Sequence, residues 1–596
     1  MRVRAEPRQA SDSIQEDTTM TEPTKAIELF PGLPERQASD NNQEDTTMTE
    51  PTKAIELFPG LPDLPDLPLS VDRRAFLIRN AAIGAAAVMT GSTWTREARA
   101  QQAATEASAQ RAAREAAKDD VGLRMSAALS PDLNVVKKAK GPVMTVVDEF
   151  YKVGPGPSSS HTIGPMRITY DFYQRATKLP AAQLDQATAL RVHLFGSLSA
   201  TGKGHGTERA ALAGLIGHEP ATIDPVAVLD RMAIEPDKIY PVKLGNKTIN
   251  VSLKDIIYDA PKGDFPHANT MTAKLMAGDK VLLEQEYYSV GGGFIEWKGY
   301  EPPKKNPPKY PYSTMAEVLA HTKRDNISLA QLAYANELAI SGRDKAQIDA
   351  FLDKIIGAMR ATVKTGLAAP SSTLPGPIKL KTKAGDVYKS ALKEEHQARR
   401  GIGIVSAAAL AGSEENARGH LVITAPTGGS AGVMPAVIYS LGPDGAKKSD
   451  QKLREALLAG AIVGYLCKHN ATLSAAEGGC QAEIGVASGM GGAAIAQAHD
   501  DPPQIAANAA GAALEHHLGM TCDPVAGFVQ IPCIERCAFG AVKSWTGYLI
   551  AKNEISANRR VDIDAVITAL AQTAKDMNPK YKETSEAGLA QSLVLC

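Results

Sequence analysis

The chain is poor in aromatic residues, 5% of 596, with three tryptophans, so its interior cannot be built mainly from rings. It also lacks net charge: 65 basic residues against 66 acidic ones leave −1. That excludes the broad cationic field on which nucleic-acid binding or attraction to an anionic membrane surface depends. No apolar run reaches the roughly 18 residues needed to cross a bilayer. What remains is 44% apolar and 22% charged with 50 glycines, the composition of a soluble, closely packed globular protein whose partners are small molecules.

The first 141 residues read differently from the rest. Residues 8–35 and 36–63 are near-copies at a 28-residue period. Two copies rich in Pro, Thr and acids are too few to stack as a solenoid, so 1–70 reads as a disordered leader. Within 70–100, Arg73 and Arg74 precede Phe76 and Leu77, a moderately apolar stretch runs from Ala81 to Met89, and Ala98-Arg99-Ala100 offers a cleavage site. That order resembles a twin-arginine signal and predicts export to the periplasm by the Tat machinery. An amphipathic helix in a cytoplasmic protein is the alternative. Residues 101–141 are Ala-rich and charged, a linker.

From there the periodicities predict two domains. "LRVHLFGSL" and "KTINVSL" are β-like, "ERAALAGLIG" is helical, and "TMTAKLMAGDKVLLEQEYYSV" is a hairpin turning at Ala277-Gly278-Asp279. The expectation is an α+β domain over 142–310, closed by the proline-rich "EPPKKNPPKYPY". Beyond it, five segments with a 3.6-residue period predict a larger, mainly α-helical domain over 314–596. Three small-residue stretches read as loops between its helices: 424–432, 475–492 and 521–537.

Chemistry-bearing residues gather on such segments. "GPGPSSSHTIGP" (154–165) holds Ser158, Ser159, Ser160, His161 and Thr162 on a segment unsuited to helix or strand. It is either a plain loop or one that presents His161 to a substrate. Of six cysteines, Cys467 reads as a buried structural thiol. Cys480, Cys522 and Cys533, spaced by 42 and 11, fit no zinc ribbon or finger. They are consistent with three thiolate ligands of an iron–sulfur cluster or, in an exported protein, with disulfides. Pro532 would start a helix at Cys533 and place that thiol in the helix N-terminal field.

"FYKVGPGPSSSHTIGPM", "GSLSATGKGHGTERA", "EENARGHLVITAPTGGSAGVMPAVI", "GGCQAEIGVASGMGGA" and "LEHHLGMTCDPVAGFVQIPCIERCAFGAVK" resemble, in order, the signature segments of the iron–sulfur-dependent L-serine dehydratases, over roughly 143–596. The resemblance implies a 4Fe–4S cluster on Cys480, Cys522 and Cys533, with His161 as the base that takes the α-proton of L-serine. Ser160, Thr162 and His516 are implied as further catalytic candidates. Ser158, Ser159, His205, Thr424, Thr427 and Ser430 are implied as substrate-binding. It further implies that Cys596, the last residue, folds back onto the open iron until substrate displaces it, and that the protein is a homodimer. His267, Lys203 and Arg418 are weaker candidates for regulatory, structural or carboxylate-binding roles.

The chain departs from the family at Gly428-Gly429-Ser430, His517 and Cys537, which leaves substrate preference open. L-cysteine or L-threonine elimination on the same cluster, and a non-catalytic serine-binding protein, are the alternatives. A pyridoxal phosphate enzyme would need a lysine in a Schiff-base motif, and none is convincing.

Overall fold

The computed structural model describes residues 141–442 and 449–592, all within one compact unit of the chain. The leader 1–70, the signal 70–100, the linker up to residue 140 and Cys596 lie outside the described residues.

The first region is α+β as the periodicities predict. Its strands are β1 (Lys152–Pro155), β2 (Ala189–Leu194), β3 (Tyr240–Leu244), β4 (Lys247–Val251), β5 (Ile256–Tyr258), β6 (Thr270–Ala277), β7 (Lys280–Ser289) and β8 (Ile295–Trp297), with the α-helices before β3. Five of them form one sheet in the order β5-β2-β6-β7-β8, antiparallel except for the parallel β2–β5 pair. β2 shows why: Leu190, Val192 and Leu194 point inward at period two while their neighbours are less buried. The β6–β7 hairpin turns at Gly278, whose φ of +59° suits glycine. Helices α1 (Gly164–Ala176) and α3 (Thr207–Leu215) pack together beside the sheet. Gly214 allows their close approach, since a Cβ there would stand 2.1 Å from the Met166 carbonyl oxygen. The stretch read as β-like through 198 stops earlier: Gly196, at φ +58°, ends it and α2 (Ser197–His205) begins.

The second region is predominantly helical. Its principal helices include α4 (Gln397–Ala417), α5 (Asp450–Asn470), α6 (Ile484–Ala498), α7 (Pro503–Glu515), α8 (Cys533–Asn553) and α9 (Ile563–Asp576). One expectation fails here. Much of 475–492, read as a loop, is the central helix α6, buried along its whole length. Its glycines cost about 1 kcal/mol each relative to alanine, but they let neighbouring helices touch. A Cβ on Gly485 would lie 2.8 Å from His517 Cβ, and one on Gly492 2.8 Å from the Ala509 carbonyl oxygen. The region also holds a strand that its periodicity does not mark, β9 (Leu421–Thr424). It pairs antiparallel with β1, from Lys152 opposite Thr424 to Pro155 opposite Leu421.

Where the regions meet, Glu337 is buried and accepts hydrogen bonds from the Val147 amide, at 3.0 and 3.2 Å, and from the Tyr465 hydroxyl at 3.1 Å. Burial pushes its carboxyl from 4.5 to about 8, against the pull of the Val147 amide. A carboxyl raised in the folded state binds more protons there than in the unfolded chain, so its contribution falls as pH rises between those values. Glu337→Gln is expected to flatten that part of the stability profile. The check is denaturant unfolding of both proteins from pH 5 to 8, and parallel profiles would refute it.

Candidate active site

The segment before α1 does not stay irregular. Residues 159–163 form a single π-helical turn that opens directly into α1, and it is buried throughout. Such turns recur at functional sites. The Ser158 hydroxyl starts it by accepting from the His161 amide at 3.1 Å. The Thr162 hydroxyl donates to the His205 carbonyl at 2.9 Å, and the Thr207 hydroxyl to that of His161 at 2.6 Å. Thus Ser158 and Thr162 shape the turn, while Ser159 leaves a buried hydroxyl without a partner among the described residues.

Donor and acceptor accounting fixes the state of His161. The Ser197 hydroxyl donates to the Glu583 carbonyl at 3.1 Å, so it accepts from His161 Nε2, 3.1 Å away. Nε2 therefore carries the ring proton. Nδ1 keeps its lone pair and accepts from the Ser160 hydroxyl at 2.9 Å. Burial, followed by the neighbouring His205, holds the His161 pKa well below the usual imidazole value, so the ring is neutral at pH 7. His205 lies parallel-tilted to it at 4.5 Å between centroids. Its Nδ1 donates to the Thr201 carbonyl at 2.8 Å, leaving a lone pair on Nε2.

Both lone pairs face one group that sequence reasoning missed. Glu583 Oε1 lies 3.5 Å from His161 Nδ1 and 3.6 Å from His205 Nε2. The carboxyl is buried, and burial keeps it well above the usual carboxylate range. Burial favours its neutral form, and the one proton of that form faces His205 Nε2, since the His161 Nδ1 lone pair already accepts from Ser160. Glu583 arrives on the C-terminal segment: its amide donates to the Cys522 carbonyl at 2.8 Å, and the Cys522 amide donates to the Tyr581 carbonyl at 2.8 Å. A φ of +59° turns Glu583 inward. Nothing in "YKETSEAG" marks that reach; a buried-type glutamate in a polar C-terminal stretch is legible only once its strand-like contact with Cys522 is known.

The other side of Cys522 is sulfur. The Cys480, Cys522 and Cys533 side chains are all buried; Cys480 is in hydrogen-bond contact with both others and with Arg536. Contact with Cys522, then Cys533, holds Cys480 well below the usual thiol range, with help from the Arg536 guanidinium. The five described cysteines are free thiols, so the disulfide alternative does not hold among them. Cys533 is the first residue of α8, directly after Pro532, as the sequence predicts. Three buried sulfurs converging beside an arginine suit a thiolate-bound metal group, because bare thiolates so close would repel. Cys537, one turn further, instead donates to the Gly429 carbonyl at 3.3 Å, and burial pushes its thiol up to about 12. It is a neutral neighbour. Cys467 is likewise a buried thiol within α5.

The loop 425–432 closes the space between these two sides. The Thr427 and Ser430 hydroxyls bond each other at 3.1 Å, while the Thr424 hydroxyl accepts from the Lys152 amide at 3.2 Å in the β1–β9 join. The departure at Gly428, next to Gly429, has a steric reading. A Cβ on Gly428 would stand 2.6 Å from the Ser159 nitrogen, and one on Gly429 2.5 Å from Glu483 Oε2. Bare backbone here lets the loop touch both the π-turn and the cysteine segment.

Some candidates fall elsewhere. His516 has a side chain 63% exposed, bonded to the Ala512 carbonyl at 2.8 Å, so the structure does not bring it to the site. The buried member of the pair is His517. His267 is a tie between segments, with Nδ1 accepting from the Asn269 amide at 3.0 Å and Nε2 3.2 Å from Glu477. Arg418 pairs with Glu415, and the Lys203 ammonium stands 5.7 Å over the Tyr258 ring.

Comparison with known proteins places both regions in one family. Residues 146–300 match the serine dehydratase beta chain family and residues 324–590 the serine dehydratase alpha chain family. The L-serine dehydratase of Haemophilus influenzae is 36% identical over 459 residues, covering 76% of this chain and 100% of the relative. L-serine dehydratase 1 of Escherichia coli is 38% identical over 460 residues, 74% of this chain and 98% of the relative. The Streptomyces coelicolor L-serine dehydratase is 38% identical over 458 residues, 76% of this chain and 99% of the relative. With beta-type and alpha-type regions joined in one polypeptide and their buried histidine and thiol sides brought together by the C-terminal segment, the chain is a lyase that belongs to the serine dehydratase family.

Proposed function

We propose that this chain removes water and then ammonia from L-serine to give pyruvate. The observation that carries the reading is the meeting of a neutral, buried imidazole from the first region with three thiols of the second, joined through Glu583 and Cys522. A 4Fe–4S cluster held by Cys480, Cys522 and Cys533 would supply an iron with an open position, a Lewis acid for the substrate hydroxyl.

The chain's own residues do the rest. His161 Nδ1 accepts the α-proton once the Ser160 hydroxyl turns from it to the Ser158 hydroxyl, 3.3 Å away, while Ser197 holds the Nε2 side of the ring. Ser158 and Thr162 hold the turn that aims the ring, and the loop with Thr427 and Ser430 closes the site against water. The hydroxide leaves from the β-carbon with its electron pair, giving an aminoacrylate that tautomerises to an imine and hydrolyses to pyruvate and ammonia. No electron is gained or lost, so nothing redox-active is asked of the side chains. Cys596 follows the segment that bears Glu583 and is proposed as the competitor for the open position.

Glu583 orients His205 by donating its one proton toward Nε2, and His205 in turn packs against the His161 ring. Glu583→Ala is expected to lower kcat by about 10–100-fold, the scale of losing an outer orienting partner. Glu583→Gln, which keeps an N–H donor, is expected to recover most of it. Equal loss in both variants would refute the donor role.

The deciding experiment is an anaerobic assay of pyruvate from L-serine, with iron and sulfide counted on the same sample. Turnover that disappears in air, and a Cys596→Ala protein that starts without a lag, support the reading. A fully loaded protein that binds serine calorimetrically and makes no pyruvate overturns it in favour of a binding protein.

A further inference from the structure

A cleft of about 1150 Å³ among the described residues is not lined by any of the three cysteines. It opens between the first region and the helices of the second, and its walls carry Lys152, Arg167 and Lys468 beside Phe294 and Trp297. These three cations are gathered by three consecutive residues. The Lys152 ammonium donates to the Gly292 carbonyl at 3.2 Å, and the Arg167 guanidinium to the Gly293 carbonyl. The Lys152 and Lys468 nitrogens stand 3.4 and 3.8 Å from the centroid of the Phe294 ring. Gly291, Gly292 and Gly293 all have positive φ, +87°, +56° and +70°. A side chain could not follow that path without strain.

None of the three cations forms an ion pair among the described residues. Carboxylates near them are bound elsewhere: Glu149 to Lys305 at 2.5 Å, Asp148 to Arg343 at 3.2 Å, and Asp171 to Arg175 at 2.5 Å and to the Tyr287 hydroxyl at 2.6 Å. Glu477 faces His267 at 3.2 Å, and Glu219, Glu296 and Glu301 also line the wall. Mutually repelling cations half-buried at one loop are costly unless a counter-ion joins them. Lysine and arginine on an aromatic floor, in a cleft of metabolite size, are the chemistry of oxyanion recognition.

We propose that this cleft binds a small organic anion through its carboxylate or phosphate group, with Lys152, Arg167 and Lys468 as the recognition groups. It is a second site, apart from the thiols, and its binding does not depend on the reaction assigned above. Its position makes it an effector site. Lys152 lies on β1 and Arg167 on α1, the two elements that flank the His161 turn. A Cβ on Gly293 would lie 3.2 Å from Ile163 Cγ2, within that turn. An occupant that draws these cations together moves both ends of the segment bearing His161.

The test uses the full-length, cluster-loaded protein, titrated calorimetrically with inorganic phosphate and with succinate, against sodium chloride at matched ionic strength. Saturable binding of either probe is expected, and the tighter probe names the group recognised. Lys468→Gln and Arg167→Gln are each expected to weaken it at least about tenfold, with unchanged iron content and melting temperature. A shift in the KM for serine with the occupied cleft, lost in Lys468→Gln, is expected from the coupling. Absence of saturable binding of both probes, or equal affinity in the variants, overturns the site. Binding that leaves KM and kcat unchanged overturns its effector role.

Discussion

His161→Ala is expected to lower kcat for pyruvate formation by about 10²–10⁴-fold, the usual worth of a positioned base, with iron and sulfide content unchanged. The reason is local. Alanine removes the Nδ1 lone pair but leaves the π-turn, which is held by Ser158, Thr162 and Thr207 rather than by the ring. The pH profile gives an independent reading. Burial and His205 lower the His161 pKa, and the base works only when deprotonated. The acid limb of kcat/KM is therefore expected below 6.5, activity falling as pH drops through it and steady above. A limb at or above 6.5 that persists in His161→Ala would assign the base elsewhere, as would a variant with undiminished turnover.

Cys480→Ser is expected to abolish iron binding and turnover together, well beyond the about 10–100-fold loss that follows removal of an outer-shell partner. Cys480 is the sulfur that touches both other thiols and Arg536, and serine keeps its volume while withdrawing the thiolate. Cys537→Ser supplies the contrast. Its thiol is committed to the Gly429 carbonyl, so iron content and kcat are expected near the unsubstituted level. Full iron in Cys480→Ser, or iron lost in Cys537→Ser with the fold intact by circular dichroism, would move the metal group off the proposed sulfurs.

Much of this site was legible before any coordinates, because its two sides lie on segments with strong local signatures. A serine-rich turn ahead of a helix and a proline ahead of Cys533 mark positions where backbone geometry presents a side chain. The α+β-then-helical order was legible for a similar reason: β2 alternates at period two and α5 and α9 repeat at 3.6. What escaped was set by tertiary packing. α6 was hidden because its glycines look like loop formers until α7 is seen pressed against them. β9 was hidden because four residues carry no period of their own, and only β1 makes them a strand. Glu583 was hidden because its role comes from a partner 61 positions away at Cys522. His516 was preferred over His517 because a one-residue choice on a helix end depends on which face is covered, and the sequence of two adjacent histidines is symmetric in that respect.

The pairing of β1 with β9 does more than join two regions. β1 runs straight into the turn with His161, and β9 straight into the loop with Thr427, so this ribbon of four residue pairs works as a ruler between them. Its graduation is about 3.3 Å per residue, longer than a hydrogen bond. A slip of one mark would carry the imidazole out of reach of its partners while leaving every helix where it stands. Insertions and deletions can therefore be tolerated in the proline-rich stretch between the regions, but not between Pro155 and His161 or between Thr424 and Thr427, where the distance is metered residue by residue.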